Sequence, residues 1–339
     1  MSETIDLNSN QPNVQNIVGQ DDPEQINRIE TAIGDLSSLL GPGSSNDDIV
    51  DSILQASEES LIPWEECTLP SRGLYYDWPD GTVMVRAMNQ TAEKVLATQR
   101  LAQSGQSIDY LFRECCKFPA GFDSTELLLG DRVFLLYFIR GITHGNNYEF
   151  AVTCPNQSCE AVSTHTYDLN ELARTITWAK TELGSEPFKI SLPYFSKVYK
   201  KDIWVGIKFL RAYDANDMLA KRKARKKMFA RPGGGVKNRN SKNAPVNVRQ
   251  QQSQSQVVDD TISENMSKII VSINGVADQF KIRQVIDKMH AQDTAAIREW
   301  LRDNTPGIDN TVTVECPECS HEYTMELPIT ENFFRPSKR

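Results

Sequence analysis

The chain has 339 residues, enough for two or three domains, with 39% hydrophobic and 24% charged side chains. No run approaches 18 consecutive apolar residues, so the sequence predicts no membrane-spanning helix. The polar N-terminus lacks the pattern of a secretory signal, so we expect the protein to stay in the cytoplasm of the cell that makes it. The net charge of −8 conceals two opposite segments, because residues 1–66 carry −13 and residues 211–249 carry +10. This asymmetry favours charged arms attached to a folded body.

Residues 1–62 are predicted to be an acidic, flexible arm. Within it, Ile26, Ile29 and Ile33 have helical spacing, and a second apolar patch runs from Asp47 to Leu54. The arm is either a disordered tail or a set of short motifs that fold onto a partner.

Residues 63–228 have the pattern of an α+β body. In its first half we predict a strand over Thr82–Arg86, a helix over Ala92–Ser104 and a helix capped by Ser107. A buried helix over Asp131–Arg140, which stops at Gly141, and a strand over Tyr148–Thr153 are expected next. The alternating apolar residues of 188–192 and 203–209 predict two more strands, and a helix then starts at Asp214.

The last predicted helix becomes strongly basic over Lys221–Lys227, and a flexible Gln/Asn/Gly-rich basic linker follows over residues 229–257. The basic run either binds nucleic acid or is a solvated helix end, and we favour the solvated end.

Residues 258–339 are predicted to be helical again before a C-terminal tail. The expected helices are one whose apolar face runs from Ile262 to Ile273, a second with Ile282, Val285, Ile286 and Met289, and a third capped by Asp293.

Two short segments of the chain repeat one pattern. Cys154 and Cys159 flank a Pro-containing turn between two strand-like runs, and Cys316 and Cys319 do the same. A tight turn between strands directs two thiolates toward one point, so two such hairpins complete a tetrahedral site. We therefore predict a structural Zn²⁺ held by Cys154, Cys159, Cys316 and Cys319, closing a zinc-ribbon-like unit. A degenerate hairpin without metal and a redox pair stay open as alternatives.

No catalytic pattern accompanies these cysteines. The sequence contains neither HExxH nor a phosphate-binding glycine loop, and four thiolates leave zinc no open position for water. His165 and His321 lie within the hairpins, where a surface or core position is favoured over a ligand role. We predict a protein that is not an enzyme.

Several short sequence motifs, in the order in which they occur, resemble those of the baseplate hub proteins of T-even-like contractile-tailed phages. They are Leu69-Pro-Ser-Arg-Gly-Leu-Tyr-Tyr, Asp80-Gly-Thr-Val-Met-Val-Arg-Ala-Met, Leu128-Leu-Gly-Asp-Arg-Val-Phe-Leu-Leu, Ile139-Arg-Gly-Ile-Thr-His-Gly, the first cysteine hairpin, Ile269 to Gly275, the second hairpin, and Phe333-Phe-Arg-Pro. The resemblance covers roughly residues 63–215 and 260–339. The acidic arm and the basic linker are outside it.

This resemblance implies a non-enzymatic tail component, either the hub or a factor for hub assembly, whose partners are other baseplate proteins. It would be made in the host cytoplasm and then reside in the virion tail. A homo-oligomer stays open. The rival hypotheses are an assembly chaperone absent from the mature virion and a zinc-ribbon protein that binds nucleic acid. Phe333 and Phe334 either anchor in a partner or fold back on the protein's own core.

Overall fold

The computed structural model describes residues 46–55, 61–78, 80–96, 106–229, 264–329 and 331–334. The helices are α1 (Asn46–Gln55), α2 (Gln90–Leu96), α3 (Gln106–Cys115), α4 (Leu129–His144), α5 (Pro193–Tyr199), α6 (Ala212–Phe229), α7 (Gln279–Ile286) and α8 (Ala291–Asn304). The strands are β1 (Glu65–Thr68), β2 (Thr82–Val85), β3 (Cys116–Lys117), β4 (Asn147–Thr153), β5 (Val162–Asp168), β6 (Ile176–Thr177), β7 (Phe188–Ser191), β8 (Trp204–Ile207), β9 (Ile270–Ile273), β10 (Gly307–Ile308), β11 (Thr311–Glu315) and β12 (Glu322–Glu326). Mixed helices and small antiparallel sheets confirm the α+β class.

The first apolar core surrounds α4, whose side chains from Phe134 to Ile139 are all buried. An antiparallel sheet in the order β1-β2-β3 packs into this core, as do both cysteine hairpins. The core therefore joins residues that are far apart in sequence, because Val312 and Phe333 lie in the same cluster as Leu69.

A buried carboxylate fixes the start of α4. Asp131 is fully buried, and its Oδ1 accepts a hydrogen bond of 2.9 Å from the backbone N–H of Ser71. The Tyr76 hydroxyl donates to Asp131 Oδ2 at 2.6 Å and accepts from the Leu128 N–H at 2.6 Å. Burial raises the pKa of Asp131 to about 6. The loop before β2 is thereby attached to the helix at the centre of the first core.

The second core lies on a sheet in the order β7-β8-β9. Phe188, Val205 and Ile270 are buried there, and Trp300 of α8 packs against Phe188 with ring centroids 5.1 Å apart. Strand β9 pairs antiparallel with β8, although residues 208–269 separate the two strands in the sequence. This sheet joins the two halves of the sequence.

Two short contacts reinforce that junction. Strand β6 pairs with β10, so Ile176 faces Ile308. Gly130 approaches Pro306 so closely that a Cβ on Gly130 would stand 1.9 Å from the Pro306 carbonyl oxygen. Only glycine fits this contact between α4 and the segment before β10.

Several predicted elements differ from the structure. The helical face predicted from Ile262 to Ile273 is wrong at its end, because Ile270–Ile273 form β9. The buried helix does not stop at Gly141 but continues to His144, where Gly145 follows with a φ of 79°.

Two predicted caps are also wrong. Ser107 lies inside α3, which begins at Gln106. Asp293 does not cap α8, because His290 does so by accepting from the Gln292 N–H at 3.2 Å. The buried Asp293 carboxylate instead accepts from the N–H groups of Tyr194 at 2.7 Å and of Phe195 at 3.3 Å, at the start of α5.

Helix α6 starts at Ala212, two residues before the predicted Asp214, and its first half is bound to the residues that precede β9. Lys268 Nζ lies 2.6 Å from Asp217 Oδ2, and Lys221 lies 2.9 Å from the same oxygen. The hydrogen bonds from Lys268 and then Lys221 lower the pKa of Asp217 to about 2. The acidic arm before residue 46, the helical patch at Ile26–Ile33 and the linker at 230–257 lie outside the described residues. Within the described ranges, no helix is both long and apolar enough to cross a bilayer.

Candidate metal centre

The first cysteine pair lies in the turn between β4 and β5, whose seven residue pairs run from Asn147–Asp168 to Thr153–Val162. The Cys154 N–H donates to the Ala161 carbonyl at 2.9 Å. Asn156 organises the turn, since its backbone carbonyl accepts from Cys159 N–H at 2.9 Å and from Glu160 N–H at 3.0 Å. Glu160 closes the turn with a φ of 47°.

The second pair lies in the matching turn between β11 and β12. The Cys316 N–H donates to the His321 carbonyl at 3.0 Å, and Ser320 N–H donates to the Cys316 carbonyl at 2.8 Å. Ser320 has a φ of 51°.

The two turns are equivalent from the second cysteine onward. In each turn, the residue directly after the second cysteine has a positive φ. The carbonyl of the following residue accepts a hydrogen bond from the N–H of the first cysteine. The two additional residues of the first turn therefore lie between Cys154 and Cys159 and leave the ends of the hairpin unchanged.

The fold brings the four predicted ligand atoms together. Cys154 Sγ lies 3.7 Å from Cys319 Sγ, and Cys159 Sγ lies 3.9 Å from Cys316 Sγ. All four sulfurs lie within 4.8 Å of one another. A tetrahedral zinc with Zn–S bonds of about 2.3 Å places its sulfurs about 3.8 Å apart, so the donor set fits this ion. Disulfide bonds would require about 2.05 Å.

The thiols of the cluster differ in acidity. Burial raises the pKa of Cys154 to about 12, whereas a hydrogen bond from the Glu318 backbone N–H lowers the pKa of Cys316 to about 7. Four thiolates in so small a volume repel one another, and a bound cation is what allows all four to lose their protons. Cys154 and Cys316 are buried while Cys319 is exposed, so the cluster lies at the edge of the protein.

One polar neighbour of the cluster was missed by the sequence reasoning. Asn156 Nδ2 donates toward Cys319 Sγ at 3.8 Å, and its Oδ1 accepts from Ser158 N–H at 3.0 Å. The signal for it was an Asn two residues after the first cysteine, where such a side chain organises a turn. His165 and His321 lie outside the cysteine cluster, and His165 Nε2 lies 2.7 Å from Ser163 Oγ.

The C-terminal aromatic pair supports the hairpins from inside. Phe333 is fully buried, and its ring meets those of Tyr148 at 5.0 Å and Tyr137 at 5.2 Å, both edge-to-face. The Tyr148 hydroxyl donates to the Pro328 carbonyl at 2.7 Å. Phe334 is also buried. Of the two alternatives for this pair, the structure therefore supports packing on the protein's own core and contradicts a role as exposed anchors.

The comparison with protein families concerns nearly the whole described body. The family model of the T4 bacteriophage base plate protein matches residues 66–335, which include both cysteine hairpins. The chain belongs to this family. No curated protein and no solved structure matches the chain.

Membership places the chain among phage baseplate proteins of the virion tail and confirms the resemblance at the level of the baseplate, while the hub assignment stays a prediction. Two of the segments that carried it meet in the structure, since Ser71 and Tyr76 come from one and Asp131 from the other. In this baseplate protein, those segments form hydrogen bonds within the core.

Proposed function

We propose that the chain is a structural component of the phage baseplate, in or next to its hub, and that it docks on other tail proteins through its folded body. The observation that carries this proposal is the family match over residues 66–335. It covers the body that the two cores and the cysteine cluster hold together, rather than one small motif.

We propose further that a structural zinc ion is bound by Cys154, Cys159, Cys316 and Cys319. The sulfur positions support this, with two separations of 3.7 and 3.9 Å. A closed set of four thiolates leaves no position for water or substrate, so the ion would stabilise the fold and take no part in a reaction. Such an ion would connect β4–β5 to β11–β12, whose cysteines are up to 165 residues apart.

The baseplate role is tested with purified phage tails. Quantitative mass spectrometry should find the chain in finished tails at a fixed copy number, and phages that lack it should fail to complete the baseplate. A chain that is required for assembly but absent from mature tails would instead be an assembly chaperone, which would contradict the structural role.

The zinc site is tested on the purified full chain. Elemental analysis without added metal should give about one zinc per chain. The Cys316→Ser/Cys319→Ser variant should lose the zinc and much stability, because structural zinc contributes on the order of 10 kcal/mol. Glu318→Ala, in the same turn but with all sulfurs intact, is the matched control and should keep its zinc. A double cysteine variant that retains stoichiometric zinc would refute the assignment.

A further inference from the structure

Helix α1 presents an apolar face to solvent. Its exposed apolar side chains are spaced i, i+1, i+4 and i+5, so they lie on one side of the helix; they are Ile49, Val50, Ile53 and Leu54. Leu54 is 76% exposed and Ile53 is 55% exposed. An amphipathic helix of this kind is suited to binding in a groove of another surface. We call these four residues the α1 stripe.

A second exposed apolar surface lies at one end of the second sheet, where β7 and β9 end and β8 begins. It consists of Val198, Tyr199, Val276 and Phe280, and we call it the sheet-end patch. Asn274 connects the turn after β9 to the segment between α5 and β8, since its Oδ1 accepts from Trp204 N–H at 2.8 Å and its Nδ2 donates to the Asp202 carbonyl at 3.4 Å. Phe280 is 72% exposed and Tyr199 is 64% exposed.

The two surfaces have opposite charge. Helix α1 carries three aspartates and no basic residue, namely Asp47, Asp48 and Asp51. The sheet-end patch is bordered by four exposed lysines, namely Lys197, Lys200, Lys201 and Lys281. Two aspartates also lie there: Asp202 accepts from Ser191, and Asp278 caps α7 and lies 3.9 Å from Lys281. The lysines outnumber them, so the patch is positive and α1 is negative.

We propose that the α1 stripe of one copy of this chain docks on the sheet-end patch of a second copy. Six residue steps separate Gln55 from Leu61, so the end of α1 at Gln55 lies at most about 20 Å from Leu61. Nearby Trp64 is fixed to the first sheet, where Arg86 and Lys117 lie over its ring at 4.8 and 4.1 Å. The patch lies on α5, on α7 and on the turn after β9, and the second core contains Leu192 just before α5, Ile282 of α7 and Ile270 of β9. Both surfaces are exposed in the single chain.

Because two different surfaces meet, this contact is heterologous and joins copies head to tail into rings or chains. It concerns self-association, which goes beyond the proposed baseplate role and can be measured without phage.

Sedimentation velocity of the full chain over a concentration series tests this contact. The wild type should associate as concentration rises, and added salt should weaken the association. The Ile53→Ser/Leu54→Ser and Tyr199→Ser/Phe280→Ser variants should each need at least about tenfold higher concentration to associate. An equimolar mixture of the two variants should form a two-chain species, because each supplies the surface that the other lacks. Val162→Thr, an exposed apolar residue outside both surfaces, is the control and should behave as wild type.

Charge reversal gives an independent measurement with variants whose changes are all at exposed positions. Asp47→Lys/Asp51→Lys and Lys200→Asp/Lys201→Asp should each weaken association, and all four changes in one chain should restore it. A wild type that stays monomeric at every concentration would overturn the proposal. This includes a monomer that is more compact because α1 binds the sheet-end patch of its own chain. Serine variants that associate as wild type does, or a mixture that stays monomeric, would overturn it as well.

Discussion

Replacing Asp131 by asparagine should change how the stability of this protein depends on pH. The carboxyl is fully buried, and burial raises its pKa from 3.8 to about 6. A raised carboxyl pKa means that the folded state binds the proton more tightly than the unfolded state. The wild type should therefore lose stability from this group as pH rises from about 4 to about 6, by about 3 kcal/mol in total. About 1.5 kcal/mol of that loss falls between about pH 5 and about pH 8.

The asparagine side chain cannot ionise, so the Asp131→Asn variant should gain on the wild type by this amount as pH rises. Urea unfolding of both proteins, measured at several pH values, gives the difference in their free energies of unfolding. The informative quantity is how this difference changes with pH, because the loss of the hydrogen bonds to Ser71 and Tyr76 changes it by the same amount at every pH. Asp123→Asn is the control: because the Thr125 N–H lowers the pKa of Asp123, its difference from the wild type should change only below about pH 4 and stay flat between about pH 5 and about pH 8. A wild-type-minus-Asp131→Asn difference that is flat with pH would refute the reasoning.

Three further predictions concern contacts that connect distant segments. Phe333→Ala should lower the free energy of unfolding by about 3–5 kcal/mol in urea titrations, because the ring is fully buried, and an unchanged value would contradict the core position. Gly130→Ala should cost about 1–3 kcal/mol or more in the same assay, since its Cβ would collide with the Pro306 carbonyl. Lys268→Ala should raise the pKa of Asp217 from about 2, which a carboxyl-carbon NMR titration would show, and no rise would disprove the ion pair.

The cysteine hairpins were predictable because their information is local. Alternating residues define β4, β5, β11 and β12, and each cysteine pair falls in the turn between two strands. The contact between the two hairpins is produced by the fold as a whole. The sequence indicated it only because each hairpin offers two cysteines and a structural zinc site takes four ligands. The helical and strand forms of the segment that ends at Ile273 could not be separated, since Ile269, Ile270 and Ile273 suit a helix face while Ile270–Ile273 also suit a buried strand.

Asp293 shows a different limit. Its sequence position suits a helix cap, and it does bind helix N–H groups, but those of Tyr194 and Phe195 at the start of α5. Leu192 precedes α5 and makes no side-chain cap, so the carboxylate arrives from elsewhere in the fold. Nothing local in the sequence encodes such a long-range partner. The same holds for the hydrogen bonds of Asp131 to Ser71 and Tyr76 and for the contact of Phe333 with Tyr137, whose members lie 55 or more residues apart.

The separation of the two cysteine pairs in the sequence determines when, during synthesis, the proposed zinc ion could find all four of its ligands. Cys154 and Cys319 are 165 residues apart, and translation at about 5–20 residues per second takes roughly 10–30 s to cover that distance. Throughout this interval the first hairpin can form, because its strands are adjacent in sequence, but it offers an incoming ion only two thiols. A ribosome that stalls in this window yields a chain with half of a site. Binding of the proposed zinc ion by all four cysteines would therefore be possible only after translation has passed Cys319.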